Sequence, residues 1–342
     1  MRAFITGVAG LTLTDAERAF LRDAQPWGLI VFARNVADPE QLRRLTAAFR
    51  SVVGRDAPVL VDQEGGRVQR LGPPHWPKYP PAAAYARLYG ADRAQGLAAA
   101  ALGGRLIAAD LHAVGIDVDC APVADIPVAE ADPIIGDRAY GMAPEPVAAL
   151  AGAFARGLME GGVLPVVKHM PGHGRAAADS HKKLPVVTAD RAALEATDFA
   201  AFRGLADLPM AMTAHVMFTA IDPIAPATAS AAIVRDVIRG SIGFQGLLMC
   251  DDISMGALSG SLGERTRAVL AAGCDVALHC DGEIAAMEAM AAAAPLLAGE
   301  AGRRAAAALA KRQRPAPIDL AEKRAEFAAL MKSVWEPAQG WA

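Results

Sequence analysis

The chain has 342 residues, 34 of them Lys or Arg against 37 Asp or Glu, for a formal net charge of −3. Hydrophobic residues make up 53% and charged residues 21%, which excludes a disordered or fibrous chain. The charge balance leaves no basic surplus for nucleic acid or an anionic membrane, and the length suits either two ordinary domains or one large α/β barrel.

Along the chain, short apolar runs alternate with longer stretches of helical periodicity. Strands are predicted over residues 3–8, 28–32, 58–61, 116–120, 164–167, 211–214, 247–250 and 275–279. Helices are predicted over 15–23, 39–53, 91–113, 146–160, 191–205, 230–239, 263–272 and 282–297. The start, MRAFITGVAGLTLTDAERAF, has too short an apolar run before Thr12, Thr14 and Asp15 to read as a signal peptide. The Ala-rich stretches 97–109 and 289–298 are interrupted or bounded by Arg105, Asp110, Glu288 and Pro295. Both fall short of the roughly 20 apolar residues that a spanning helix needs. Cys120, Cys250, Cys274 and Cys280 form no CxxC pair and sit in or beside apolar runs, as buried free thiols of a reducing compartment do. A cytoplasmic location, with no membrane and no nucleic-acid partner, is expected.

Strand followed by helix, about eight times over, is the pattern of a parallel α/β fold. Most predicted strands are followed closely by a polar or reactive residue: Arg34 and Asn35, Asp62, Asp125, Lys168 and His169, His215, Asp251, Asp281. A barrel gathers all strand C-termini around one mouth, whereas a doubly wound sheet uses chiefly those near a switch point. No GxGxxG follows the first strand. The expectation is therefore a single (β/α)8 TIM-type barrel with its active site at the strand C-terminal face. It forms one catalytic domain over 1–342, with 315–342 a helical tail packed on it and a helix over 320–334. The Pro-rich segment 71–81 (LGPPHWPKYPP) and the segment 170–184 read as shaped loops at the mouth.

Three sequence features carry chemistry. The densest is Lys168-His169-Met170-Pro171-Gly172-His173-Gly174, with Asp179-Ser180-His181 shortly after. It places three of the chain's seven histidines in a loop whose Pro and Gly residues disfavour helix. An Asp two residues before a His can hold one ring nitrogen and leave the other free for proton transfer. The second is Asp251-Asp252 at the end of a buried strand, where a carboxylate can act as nucleophile, base or metal ligand. The third is Asp62-Gln63-Glu64-Gly65-Gly66-Arg67-Val68-Gln69-Arg70, which offers acceptors and forked guanidinium donors suited to sugar hydroxyls. Each has a plainer reading, as a turn cap, a helix N-cap or solvated pair, and a simple Gly-Gly turn.

Together these residues resemble a known family. KHMPGHGRAAADSHKKLP closely resembles the KHFPGHG…DSH…LP signature of glycoside hydrolase family 3, in its β-N-acetylhexosaminidase branch. GLIVFARN, VDQEGGRVQRL, APVADI, IGDRAYG, MTAHVMF, GFQGLLMCDDISM and AGCDVAL extend the likeness in order from about Gly7 to Leu278. Within that branch the chain looks like the single-domain cytoplasmic β-N-acetylglucosaminidases of bacterial peptidoglycan recycling. The resemblance implies Asp251 as nucleophile, His181 as proton donor and acceptor, and Asp179 as its dyad partner. It also implies that Asp62, Arg70, Arg138, Lys168 and His169 hold the sugar of a small carbohydrate or muropeptide substrate, with no cofactor and no metal. Three departures stand out: Met170 where Phe is usual, Cys250 where Ser is usual, and Arg175-Ala176 where Asp-Thr is usual.

Several alternatives remain open at this level. His169, His173, His181, Asp62 and Asp251 are residue types that can ligate a metal, although Pro171 and Gly172 oppose the helix that would align an i, i+4 His pair. A family-3 glycosidase of other specificity, a phosphorylase, and a non-catalytic sugar-binding relative are the other readings.

Overall fold

A computed structural model describes residues 1–336. Eight parallel strands close into a barrel: β1 (Arg2–Thr6), β2 (Pro26–Val31), β3 (Val59–Val61), β4 (Val118–Asp119), β5 (Leu164–Met170), β6 (Met210–Thr213), β7 (Leu247–Asp252) and β8 (Val276–His279). Each strand pairs with its neighbours in chain order, and β8 returns to β1 with Phe4 opposite Ala277. The expected TIM-type barrel is therefore the fold. Its strands are buried along their whole length where helices cover them, as in the apolar β2 and in β5, which is apolar up to Lys168.

The helices are α1 (Asp15–Ala24), α2 (Pro39–Val53), α3 (Ala82–Ala91), α4 (Arg93–His112), α5 (Pro144–Glu160), α6 (Arg191–Ala196), α7 (Asp198–Arg203), α8 (Leu262–Ala272), α9 (Ile284–Ala293), α10 (Gly299–Ala310) and α11 (Leu320–Met331). A π-helical segment, Ile233–Ser241, lies between β6 and β7. Local chemistry sets many of these ends. Thr14 and Glu17 close a capping box on α1, and Asp38 caps α2 ahead of Pro39.

The Ala- and Gly-rich composition of α4 and α5 lets them approach unusually closely. A Cβ on Gly104 would stand 2.2 Å from the Phe154 carbonyl oxygen, and one on Gly157 would stand 2.0 Å from that of Ala101. The apolar stretch 97–109 is thus the interior of α4, docked on α5. No described helix is long and apolar enough to cross a membrane.

Several predicted boundaries need correction. The helix expected over 91–113 is preceded by α3 and begins at Arg93, because Asp92 turns extended and accepts the Gln95 N–H as an N-cap. The helix expected over 191–205 breaks into α6 and α7 at Thr197, whose backbone leaves the helical region. The segment expected over 282–297 is helical only over Ile284–Ala293, and α10 was not anticipated. The strand expected over 116–120 is reduced to Val118–Asp119, shortly before Pro122, which cannot donate to a ladder. Conversely, β5 and β7 run past their predicted ends, so Lys168, His169 and Asp251 lie in the strands themselves.

The loop 71–81 is irregular, as expected. It packs under a hairpin of Gln63–Gly65 and Val68–Gln69, with the Gly66 N–H donating to Tyr79 O and the Tyr79 N–H to Gln69 Oε1. In the tail, α11 ends at Met331, short of the predicted 334. Arg324 donates to Asp110 at 2.8 Å, and Phe327 lies 6.1 Å from the Tyr85 ring centre. The last part of the expected tail, 337–342, lies outside the described residues.

Candidate active site

The C-terminal ends of the strands converge on one cleft, ≈ 180 Å³ in volume. Seven of the eight residues singled out from the sequence line it: Asp62, Arg70, Arg138, Lys168, His169, His181 and Asp251. Asp179 is not on the wall but stands behind His181.

One side of the cleft is a chain of alternating charge. Lys168, brought in by β5 and 3% exposed, donates to Asp62 Oδ1 at 2.8 Å and contacts Glu64 Oε1 at 2.7 Å. Arg70, returned by the hairpin, donates to Asp62 Oδ2 at 2.9 Å. Arg138 grips Glu64 with two bonds of 2.8 Å. Burial opposes ionisation of both acids. The cations outweigh it, holding Asp62 well below the usual carboxylate range and Glu64 at about 2. Lys168 is held above the usual lysine range despite its own burial, by Asp62 and Glu64. Buried charges of this kind are tolerable because each is paired and hydrogen-bonded. Three cations and two anions leave donors and acceptors fixed in space, a surface that matches the hydroxyls of a neutral sugar.

Beside it, Asp125 organises two histidines. Its Oδ2 lies 2.6 Å from His169 Nδ1, while Oδ1 accepts the main-chain N–H of His173 at 2.7 Å. The His173 Nε2 in turn lies 2.9 Å from Ser180 Oγ. The peptide bonds Lys168–His169 and Met170–Pro171 are cis. Asp251 projects from β7, with Oδ1 accepting the Asp252 N–H at 2.8 Å. Burial raises its pKa, but His169, His215 and Lys168 more than offset this, so it lies below the usual carboxylate range. A carboxylate in that state is ready to attack or to stabilise positive charge.

Across the mouth, His181 is 64% exposed and its Nδ1 lies 2.8 Å from Asp179 Oδ1, which also accepts the His181 N–H at 2.9 Å. Slight burial raises the Asp179 pKa, but these bonds lower it further. With Nδ1 held, Nε2 is the nitrogen left for proton transfer.

Glu64, Asp125, His173 and Ser180 complete the site although none was assigned to substrate or catalysis from the sequence, where Asp125 stood out only as a strand-end residue and His173 only as a possible metal ligand. For Glu64 a signal existed: it sits two residues from Asp62 in extended chain, the spacing that puts two side chains on one face. The other three are recognisable only from contacts across the fold.

Each departure from the family pattern has a definite place, Met170 being fully buried at the end of β5. Arg175 turns to helix α7, bonding Asp198 Oδ2 at 2.7 Å and Thr197 Oγ1 at 2.9 Å, and does not line the cleft. Cys250 is buried and accepts the Leu278 N–H at 3.2 Å, and burial pushes its thiol well above the ordinary range. Such a thiol is a poor nucleophile. Of the residues considered as metal ligands, Asp62 is committed to Lys168 and Arg70, His169 to Asp125, and His173 to Ser180. Among the described residues no group of three or more His, Cys, Asp or Glu is disposed to hold a metal ion.

Fold and cleft together define a barrel enzyme with a carboxylate at a strand end and a carboxylate–histidine pair facing it. Residues 6–311 match the glycosyl hydrolase family 3 N-terminal domain, and the chain belongs to this family of glycoside hydrolases. Among curated relatives, the beta-hexosaminidase of Alkalilimnicola ehrlichii is 42% identical over 80% of this chain and 79% of its own length. That of Pseudomonas aeruginosa is 38% identical over 83% and 84%. Among solved structures, native NagZ from Neisseria gonorrhoeae superimposes with a TM-score of 0.85 at 30% identity, covering 97% of this chain and 96% of that one. The same enzyme has been solved with N-trifluoroacetyl-D-glucosamine. A glycoside hydrolase family 3 beta-N-acetylglucosaminidase from Paenibacillus matches with a TM-score of 0.85 at 29% identity, over 97% of this chain and 66% of that one.

Proposed function

We propose that the chain is a β-N-acetylhexosaminidase that removes terminal β-linked N-acetylglucosamine by retaining hydrolysis. The observation that carries this reading is the pairing, around one cleft, of the ionised Asp251 with the Asp179–His181 dyad. In the first step the Asp251 carboxylate attacks the anomeric carbon while His181 Nε2 gives its proton to the departing glycosidic oxygen, breaking the C–O bond. In the second, His181 takes a proton from water, the water oxygen attacks the anomeric carbon, and Asp251 leaves as carboxylate. Asp62, Arg70, Arg138, Lys168 and His169 hold the sugar. The exposure of His181 leaves its ring free to close over the bound glycoside as the site is completed.

The hexosaminidase relatives and the KHMPGHG…DSH motif support N-acetylglucosamine as the sugar. The resemblance to peptidoglycan-recycling enzymes supports a muropeptide of the GlcNAc-1,6-anhydroMurNAc type as substrate and the cytoplasm as its place. In this reading the whole chain acts as one catalytic domain, its C-terminal helix serving as packing.

The test is release of nitrophenol from the β-N-acetylglucosaminide beside the β-glucoside, with and without phosphate. Selective cleavage of the acetamido sugar, independent of phosphate and with the β-anomer formed first, is expected. A phosphate requirement would make the enzyme a phosphorylase, and equal cleavage of the glucoside would remove the acetamido specificity.

A further inference from the structure

The loop that carries the dyad is tied down at a point the reaction does not use. Between Asp179 and the exposed His181, Ser180 is only 3% exposed, and its hydroxyl meets His173 Nε2 at 2.9 Å. His173 is itself fixed, because its main-chain N–H donates to the buried Asp125, the same carboxylate that holds His169. His173 Nδ1 is buried and has no hydrogen-bond partner among the described residues. The tautomer with its proton on Nε2 therefore leaves only an acceptor unmet and donates to Ser180 Oγ. Burial, reinforced by His169, pushes His173 down to about 4, so the ring is neutral at working pH.

From the other side, the loop after β7 docks on Ser180 and His181. The Gly256 N–H donates to His181 O at 3.1 Å and the Ala257 N–H to Ser180 O at 3.2 Å. A Cβ on Gly256 would stand 2.9 Å from the His181 oxygen and 2.8 Å from that of Lys182, so only glycine permits this approach. The segment is otherwise exposed at His181, Lys182 and Lys183. Its one buried side-chain anchor beside the dyad is the Ser180 hydroxyl.

We propose that Ser180 is a positioning residue for proton transfer: its bond to His173 latches the dyad loop and sets where His181 Nε2 stands over the cleft. The proposal rests on the assignment of His181 as acid–base. Removing the hydroxyl leaves the stretch 179–181 held to its surroundings by backbone bonds, with the next side-chain bonds of the loop back at Arg175, and displacement of about 1 Å at a proton-transferring group can cost on the order of 100-fold in rate.

The experiment measures kcat/KM across aryl β-N-acetylglucosaminides whose leaving phenols differ in acidity, for wild type, Ser180→Ala, Ser180→Thr, His173→Phe, the Ser180→Ala/His173→Phe double variant and His181→Ala. Ser180→Ala is expected to lose about 10- to 100-fold on the least acidic phenol and less than about threefold on the most acidic, the signature of impaired acid catalysis. Ser180→Thr, which keeps the hydroxyl, should retain the wild-type profile. His173→Phe reads the same contact from its other end should Ser180→Ala fold poorly, and the double variant should be no worse than either single one. A uniform loss across the series, or an unchanged profile in both single variants while His181→Ala is steep, overturns the latch alone. A flat His181→Ala profile overturns the acid–base assignment and the latch with it.

Discussion

At the scale of single residues, the cleft separates the groups proposed to bind from those proposed to react. Lys168, Asp62, Glu64, Arg70 and Arg138 are paired with one another, three cations to two anions, and are spent on geometry. Among the described residues no guanidinium or ammonium is bonded to Asp251, which is held below the usual carboxylate range by His169, His215, the Asp252 N–H and Lys168 against its own burial. That contrast supports the nucleophile role proposed for Asp251, and a small substitution tests it directly. Asp251→Gly should lose roughly 10⁴-fold or more in kcat and keep its melting temperature, since removing one nucleophile abolishes the covalent route. Azide, entering the space left by the carboxylate, should then restore turnover and give the α-glycosyl azide. A rescued product of β configuration, or near-wild-type turnover without azide, would take the role away from Asp251. The strand-end residues were legible because a carboxylate or lysine closing an apolar run is conspicuous. Glu64 and Ser180 were not given roles for different reasons: Arg138 is 74 residues from Glu64, while Ser180 owes its meaning to the burial and orientation of the nearby His173 ring, which the sequence does not show.

At the scale of elements, the order of strands and helices was readable from apolar runs and periodicity, and the barrel from the polar or reactive residues that close so many of its strands. What was not readable turned on single side chains that choose between continuing a helix and capping the next one. Asp92 and Thr197 each divide a stretch whose composition alone favours one helix. The strand ends shifted for a related reason. Lys168 and Asp251 look like loop residues by polarity, yet both belong to strands: Lys168 still pairs with Met212, and Asp251 lies where the β7–β8 register shifts between Met249 and Asp252. The tail helix α11 is the last element laid down. Arg324 bonds Asp110, whose other oxygen accepts the Tyr79 hydroxyl at 2.6 Å, and Phe327 is fully buried between Tyr85 and Trp335. Phe327→Ala should therefore cost about 3–5 kcal/mol in urea unfolding while leaving kcat/KM of the folded enzyme within about twofold. A loss below about 1 kcal/mol would mean the helix is not integral to the barrel, and a large fall in kcat/KM would give it a part in catalysis.

At the scale of the whole molecule, the barrel's charges make stability depend on pH through a residue outside the reaction. Asp119, on β4, is fully buried; its Oδ1 accepts the Gln63 N–H at 2.9 Å, and Oδ2 has no partner among the described residues. Burial, together with Asp62 and Glu64 nearby, raises its pKa to about 8 even though the Gln63 N–H and Lys168 act the other way. In the unfolded chain an aspartate loses its proton near pH 4. Between those limits the folded state keeps a proton that the unfolded state has released, so stability falls as pH rises, by about 1 kcal/mol per pH unit. His173 and His215 act oppositely. Burial lowers both, His173 to about 4, so below roughly pH 6.5 the unfolded chain holds protons that the folded one does not, and stability rises with pH. The contributions offset one another in mild acid and leave Asp119 exposed as the dominant slope from about pH 6.5 to 8. Urea unfolding across that window should show the wild type losing stability. Asp119→Asn, which keeps the acceptor for the Gln63 N–H and cannot ionise, should show a flat curve and be the more stable protein at pH 8. Parallel curves for the two proteins would mean that Asp119 is already ionised in the folded barrel, and that Lys168 and the Gln63 N–H satisfy three buried acids at the cleft floor rather than two.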